Sequence, residues 1–354
     1  MSRTDALLPI TVPLRTIHAT APIRICDNGG WTDTWPARYG RVFNIAVHPL
    51  VAVRLDAYAS GSRDARVVLD VRNYAQRYAP AVDGSAWGPH PLLEAALREI
   101  RPPAEVDVEV TVRSDAPAGA STGTSAAVVV ALLGALDRLA RGLRDLHAIV
   151  TAAHAVETVH LQRQCGVQDQ ICAAYGGINF IEVPDYPRVV VSQLVPSDRI
   201  LHELQQRLAL VYLGRPHRSS TVHEQVVRDL ERRGPDSPHL QALRAAAERS
   251  RDSLLAGDFD ALGMAMRDNT ATQSELHAEV VHRDAWRVFE IAAAYGAAGW
   301  KVNGAGGDGG SITVLSNANP DAKRAMLRAM IEENPVLMSI PIAISREGLR
   351  VTEG

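Results

Sequence analysis

The chain has 354 residues, 46% of them hydrophobic and 22% charged, which is the balance of a globular protein with room for two domains or one large α/β unit. Its net charge of −3 gives no reason to expect nucleic acid or a membrane surface as a partner. The three cysteines lack metal-ligand spacing, no secretion signal is recognisable, and the longest apolar runs are too short to cross a bilayer. We therefore expect a reduced, cytoplasmic protein.

The N-terminal part is predicted to consist mostly of strands. Residues 15–26, 42–59 and 106–115 are rich in β-branched residues, which predicts strands. A helix is predicted from about Gly123 to Arg141 and a second from about Leu143 to Gln164. A further strand follows and ends near Pro184.

The C-terminal half begins with a predicted strand over 207–214. Three Ala- and Arg-rich helical segments are then predicted from Thr221 to about Tyr295, followed by strand, Gly-rich turn, strand, helix and strand. Strands and helices mix without steady alternation, which favours an α+β fold over a doubly wound parallel sheet. The change in character near residue 190 predicts two domains, 1–190 and 191–354.

The stretch "APAGASTG" (116–123) joins a predicted strand to a buried helix. The first turn of a helix has unpaired N–H groups and a partial positive charge, and small residues let an anion approach the backbone. The stretch therefore suggests a phosphate site, with the hydroxyls of Thr124 and Ser125 able to meet phosphate or magnesium. Ordinary helix capping by Ser121, Thr122 or Thr124 is the alternative.

Two further stretches are "APIRICDNGGWTDTW" (21–35) and "KVNGAGGDGG" (301–310). With the small-residue loop, in this order and at these separations, they resemble the three motifs of the GHMP kinases over nearly the whole chain. "GGWTDT" with "FNIAV" looks like L-fucose kinase, while "GVQDQICAAYGGINFIEV" and "LVYLGRPHRSS" look like the D-glycero-D-manno-heptose 7-phosphate kinases. The resemblance implies an N-terminal domain like ribosomal protein S5 domain 2, a C-terminal ferredoxin-like α/β sandwich, and an active site between them.

The resemblance also implies two catalytic residues. Asp169, in "CGVQDQIC", matches the catalytic Asp, whose carboxylate takes the proton of the acceptor hydroxyl. Arg24 matches the Arg that stands beside that carboxylate. The alternatives are a helix N-cap for Asp169 and a surface side chain on an edge strand for Arg24.

Acceptor binding is assigned in the same way to the first motif. Asp33 matches the sugar-contacting Asp, with Gly30, Trp31 and Thr32 beside it, and an aromatic face suits the C–H face of a sugar. Trp31 and Trp35 could equally belong to the core.

The resemblance implies ATP and Mg²⁺, with Ser125 and Glu157 as the magnesium ligands. Nucleotide contacts are expected from the two glycine-containing loops: Pro117, Gly119, Ala120, Ser121, Thr122, Gly123, Thr124, Ser125, Gly304, Ala305 and Gly306. The second of these loops could also be a plain strand–strand turn.

Some positions depart from the family pattern. Ser121 replaces a Gly, Thr124 replaces a Ser, Asp308 interrupts the last glycine run, and Asp27 and Asn28 make the first motif more polar. A carboxylate near a triphosphate would repel it, so Asp308 is expected to point away or to meet the sugar or magnesium. These departures leave the identity of the substrate open, but they do not put the chemistry in doubt.

The resulting hypothesis is a sugar kinase that makes a sugar 1-phosphate from a free, fucose-like sugar, a product type that feeds nucleotide-sugar synthesis. The alternative acceptor is a 7-phosphoheptose, which needs a second phosphate site; Arg215, His217 and Arg218 are the nearest basic cluster. A ligand-binding protein of this fold without catalysis is the alternative from another class. A small sugar and ATP are the expected partners, and the protein is expected to be a monomer or homodimer.

Overall fold

The computed structural model describes residues 12–81, 86–216 and 220–354, which form two sheets with helices packed against them. The strands are β1 (Arg15–Asn28), β2 (Gly40–Ala59), β3 (Val67–Val71), β4 (Gln76–Tyr78), β5 (Val106–Ser114), β6 (Ile178–Asp185), β7 (Arg188–Leu194), β8 (Leu208–Tyr212), β9 (Gly299–Val302), β10 (Ser311–Leu315), β11 (Met338–Ile340) and β12 (Arg350–Glu353). The helices are α1 (Pro91–Glu99), α2 (Thr124–Leu139), α3 (Leu146–Ala155), α4 (Gln168–Tyr175), α5 (Asp198–Arg207), α6 (Ser220–Arg233), α7 (Pro238–Ala256), α8 (Phe259–Leu276), α9 (Arg283–Ala294) and α10 (Pro320–Glu333).

The first sheet is organised around the long strand β2. Its order is β12-β1-β2-β5-β3-β4, and β6 pairs with the first part of β2 while β7 pairs with β6. The β3–β5 pair is parallel and the others are antiparallel. The second sheet, β11-β8-β10-β9, is antiparallel throughout. The arrangement confirms the predicted α+β class.

The predicted helix over 123–141 is confirmed as α2. Its residues are apolar on nearly every side, and it is buried against β1, β2 and the helices α1, α3 and α4. A helix that is apolar all round has no face for water, so it lies inside the core. Its position fixes the first turn of α2 at the edge of that core, where the small-residue loop ends.

Two helix predictions are wrong in detail. The segment predicted as one helix over 143–164 is α3 followed by a π-helical turn, Val156–His160. The three helical segments predicted before Tyr295 are the four helices α6 to α9. Gly234 and Gly257 adopt positive φ angles of 78° and 71° and end α6 and α7, and the extended backbone of His277 ends α8. None of the described helices is long and apolar enough to cross a membrane.

The predicted division at residue 190 stays a prediction. The sheets do not separate the chain at a single point, because β7 continues the first sheet to Leu194 and β12 returns from the C-terminal end to pair with β1. Residues 350–353, predicted in the second domain, therefore lie in the first sheet.

Candidate active site

A cavity of about 820 Å³ lies where the three glycine-containing motifs meet. Residues from the segments 24–34, 125–126, 157–170, 223–228 and 304–305 line it. The motifs come from the end of β1, the start of α2 and the turn between β9 and β10. Folding thus brings together segments that are up to about 280 residues apart in sequence.

Arg24 and Asp169 form an ion pair in the wall of this cavity. The Arg24 Nε donates to Asp169 Oδ1 at 2.7 Å, and its Nη1 donates to the Ser121 carbonyl at 2.6 Å. The Arg24 side chain is buried, whereas the Asp169 side chain is 29% exposed. Burial alone would lower the pKa of Arg24, but the carboxylates of Asp169 and Asp27 raise it above its ordinary value. The arginine therefore stays charged and directs the Asp169 carboxylate toward the cavity.

Asp33 caps the helix that carries Asp169. Its Oδ2 accepts hydrogen bonds from the backbone N–H groups of Val167 at 2.9 Å and Gln168 at 3.1 Å. Burial raises the pKa of Asp33 to about 6, the Asp169 charge adds to the increase, and the backbone bonds oppose it. Helix capping, the alternative role considered for Asp169, is thus the role that Asp33 has. Its carboxylate lies in the cavity lining with one oxygen already bound to backbone.

The other residues predicted for acceptor binding have different surroundings. Trp31 lines the cavity and stacks on His223, with ring centroids 5.0 Å apart. Thr32 is fully buried, and its hydroxyl donates to the Gly29 carbonyl at 2.7 Å. Neither Thr32 nor Gly30 contributes to the cavity lining within the described ranges. Trp35 lies outside it as well.

Glu157 and Ser125 face the same cavity as Asp169. Glu157 lies on the π-helical turn, and its Oε1 accepts from the Gln170 amide at 2.9 Å. Burial raises the pKa of Glu157 to about 7, and the neighbouring Asp169 charge contributes. Two carboxylates that repel each other in a partly buried site are a favourable place for a cation.

The oxygens of Ser125 and Glu157 fit a magnesium ion that binds together with a nucleotide, and not one that is held by protein ligands alone. In the part of the chain that the structure describes, no three His, Cys, Asp or Glu side chains converge on one point. Mg²⁺ usually takes one or two protein oxygens and fills its remaining positions with water and phosphate oxygens. Ser125 and Glu157 match that requirement.

Glu157 makes thermal stability depend on pH. Its pKa of about 7 in the folded protein lies above its ordinary value of 4.5, so the folded state binds the proton more tightly. Its stabilising contribution is present in full below about pH 4.5 and is lost as the pH rises through about 7. Between about pH 5 and about pH 8 we expect wild type to lose more unfolding free energy than Glu157→Gln, by on the order of 3 kcal/mol at most. Thermal melts without ligand test this, and parallel pH profiles would contradict it.

The small-residue loop has the backbone that its sequence predicts. Gly123 occupies the N-cap of α2 with φ 68°, and no described side chain caps the helix. Capping by Ser121, Thr122 or Thr124 is therefore not observed. Ser121, which replaces the family's Gly, has φ 56°, a conformation that glycine adopts more easily. The first turn of α2 keeps its N–H groups available to an anion.

Three of the predicted nucleotide-binding residues line the cavity: Ser125, Gly304 and Ala305. The others belong to the two loops without contributing to the lining: Pro117, Gly119, Ala120, Ser121, Thr122, Gly123, Thr124 and Gly306. The second loop is also a strand–strand turn, since β9 and β10 pair across it. Asp308 is exposed and outside the lining.

Several polar residues at this site were not predicted from the sequence to have a role. Asp27 and Lys301 form a fully buried ion pair, with Nζ 3.2 Å from Oδ1. Gln168 and Gln170 line the cavity, and each has a buried amide oxygen without a partner among the described residues. A signal for Lys301 existed, because it is one of only two lysines in an arginine-rich chain.

Comparisons with known proteins agree with the motifs. The model of the GHMP kinases N terminal domain matches residues 91–177, and that of the GHMP kinases C terminal matches 250–335. A bifunctional fucokinase/GDP-fucose pyrophosphorylase of Arabidopsis thaliana is 27% identical over 91% of this chain and 32% of its own length. A D-glycero-alpha-D-manno-heptose 7-phosphate kinase of Campylobacter jejuni is 24% identical over 67% of this chain and 68% of its own length. The chain thus spans about a third of the first relative and about two thirds of the second.

Solved structures share the fold. A D-glycero-D-manno-heptose 1-phosphate kinase from Bacteriodes thetaiotaomicron superposes with a TM-score of 0.71 at 21% identity, covering 95% of this chain and 98% of that one. The Lactococcus lactis galactokinase complexed with galactose gives a TM-score of 0.74 at 13% identity, covering 95% of each chain. Both domain models match and the fold is shared along almost the whole chain, so the chain carries the N-terminal and C-terminal domains of the GHMP kinases, a family of phosphotransferases.

Proposed function

We propose that the protein is an ATP- and Mg²⁺-dependent sugar kinase that phosphorylates the anomeric hydroxyl of a free sugar. The observation that carries the proposal is the Arg24–Asp169 ion pair, held at 2.7 Å in the wall of a cavity that also presents Ser125 and Glu157. The relatives named as a fucokinase and a heptose 7-phosphate kinase support a sugar acceptor. We expect the protein to act in the cytoplasm, as a monomer or homodimer.

The reaction would use Asp169 as the general base. Its carboxylate accepts the proton of the acceptor hydroxyl while that oxygen bonds to the γ-phosphorus and the bond to the ADP oxygen breaks. Arg24 holds the carboxylate in place and supplies positive charge beside the transferring group. Bound Mg²⁺ would neutralise phosphate charge, with Ser125 and Glu157 as its protein ligands. Positioning and electrostatics suffice, and no covalent phosphoenzyme is needed.

Asp33 and Trp31 are the proposed acceptor contacts. Both lie in the lining, and the Trp31 indole N–H is buried without a partner among the described residues. A buried donor of this kind gains free energy when it meets a hydroxyl oxygen.

The experiment that tests the proposal is ADP release with ATP and Mg²⁺ against a panel of free sugars and sugar phosphates. Phosphorus NMR of the product locates the new phosphate. Turnover of a free sugar to its 1-phosphate is expected, and Asp169→Asn should lower its rate by about 10³-fold. ATP binding without turnover of any acceptor would favour a ligand-binding protein without catalysis.

A phosphorylated heptose is the second candidate acceptor, and two arginines favour it. Arg163 and Arg228 line the cavity, and Arg228 lies 3.6 Å from Glu224 in a largely exposed pair. Of the basic cluster predicted from sequence, Arg215 pairs with Asp284, while His217 and Arg218 lie outside the described residues. If the acceptor carries a phosphate, Arg163→Ala should raise its KM without raising the KM of a free sugar.

A side chain at Gly123 should disturb Arg24 and Asp169. A Cβ there would lie 3.1 Å from Arg24 Cγ and 3.2 Å from Asp169 Cγ. Gly61 has a similar φ of 75° but nothing within 4 Å, so it is a matched control. We expect Gly123→Ala and Gly61→Ala each to cost about 1 kcal/mol of stability, and only Gly123→Ala to lower kcat, by about tenfold or more. Equal kcat values for the two variants would contradict this.

A further inference from the structure

Asp27 and Lys301 form an ion pair that is removed entirely from water. Both side chains have 0% exposure, and the Lys301 Nζ lies 3.2 Å from Asp27 Oδ1. Asp27 belongs to β1 in the first sheet, and Lys301 belongs to β9 in the second. The Lys301 ammonium also donates to the Val302 carbonyl. The pair therefore joins the two sheets at the cavity, through two of the motifs that form it.

The Asp27 carboxylate has two further neighbours, and both belong to the site. Its Oδ2 accepts the Gly304 backbone N–H at 3.0 Å, and its Oδ1 lies 3.8 Å from Arg24 Nη1. Burial alone would raise the pKa of Asp27, but Arg24 and Lys301 hold it below its ordinary value. Asp27 is thus a charged acceptor that contacts both the catalytic arginine and the glycine turn.

Arg24 consequently lies between two carboxylates. Its Nε donates to Asp169, while its Nη1 lies between the Ser121 carbonyl and Asp27. Gly304 also lies close to it, because a Cβ at that position would be 3.1 Å from Arg24 Nη2. The rotamer that directs Nε toward Asp169 depends on where Asp27 and the Gly304 turn are fixed.

Buried ion pairs contribute little to stability compared with apolar pairs of the same volume, since the desolvation penalty offsets their attraction. Stability alone therefore does not account for a pair at this position. Resting on the proposed kinase function, we propose that Asp27 and Lys301 are positioning residues. They fix the Arg24 guanidinium against Asp169 and hold the Gly304 turn at the cavity.

The test compares the single variants Asp27→Asn and Lys301→Met with the double variant. Each single variant removes one charge of the buried pair and leaves the other in place, so both are expected to lower Tm. The double variant removes both charges and is expected to recover most of the Tm. If the pair positions Arg24, kcat of the double variant stays at least tenfold below wild type while the KM for ATP changes less than about threefold.

The control is the Asp137–Arg144 pair, 2.7 Å apart and outside the cavity lining. Arg144→Met should lower Tm without changing kcat. A double variant at 27 and 301 with kcat within about threefold of wild type would overturn the proposal, because the pair would then be structural only.

A second readout does not depend on turnover or on the double variant folding. Hydrogen exchange of a peptide spanning residues 303–306 reports the Gly304 N–H that Asp27 accepts. Faster exchange there in Lys301→Met, at a temperature where the variant is folded, supports the positioning role, and unchanged exchange overturns it. Absence of turnover in the wild-type protein would instead reject the proposed function, so the two failures are distinguishable.

Discussion

Asp169→Asn is expected to lower kcat by about 10³-fold with little change in fold or in ATP binding. The amide has the shape of the carboxylate. Its oxygen can still accept the hydrogen bond that Arg24 Nε donates to Asp169 Oδ1 at 2.7 Å in the wild-type protein. It cannot accept the proton of the acceptor hydroxyl. Steady-state kinetics on the best acceptor from the sugar panel, together with nucleotide-binding titration, measures both effects.

Asp145 provides a matched control for this substitution. It also lies at a helix start, where its Oδ1 accepts the Ala148 N–H at 2.8 Å, but it is outside the cavity lining. Asp145→Asn should leave kcat unchanged and alter stability by about 1 kcal/mol or less. If Asp169→Asn retained wild-type kcat, the base would have to be another group, and Asp33 would be the next carboxylate to test.

Arg24→Met is expected to reduce both activity and stability. Its removal leaves Asp27, which is fully buried, and Asp169 without their shared cation. Breaking a buried pair in this way costs about 3–5 kcal/mol, and loss of the oriented charge should lower kcat by about 10²-fold or more. Arg24→Lys restores charge without the two-point contact to Asp169 and Ser121, so it should recover more stability than activity.

Substitution of Arg244 is a control that separates the effect of Arg24→Met on catalysis from its effect on stability. It is 1% exposed and donates only to backbone carbonyls of the described chain, including those of Tyr39 and Ala37. Arg244→Met should lower Tm as Arg24→Met does, yet leave kcat per folded molecule unchanged. Equal losses of kcat in the two variants would show that Arg24 acts through stability alone. Thermal melts and kinetics on the same preparations decide between these outcomes.

Local patterns in the sequence were sufficient for the class of fold and for the segments that form the site. The apolar run after Gly123 determined α2, because a helix without a polar face must be buried. The small residues before it determined a loop that leaves the first turn of α2 open. The order and separation of three motifs, through a family resemblance, indicated that they meet.

The tertiary structure decided how the polar groups are partnered. Asp33 was predicted to contact a sugar, and in the fold one of its oxygens accepts backbone N–H groups at the start of α4. Asp27 was noted as an unusual polar residue, and its partner Lys301 lies 274 positions away. No local pattern encodes such a pairing, since the free energy of a buried charge depends on which opposite charge and which N–H the fold brings beside it. The sequence by itself thus indicated which segments form the proposed site, while burial and long-range contacts decided which partners each carboxylate of that site has.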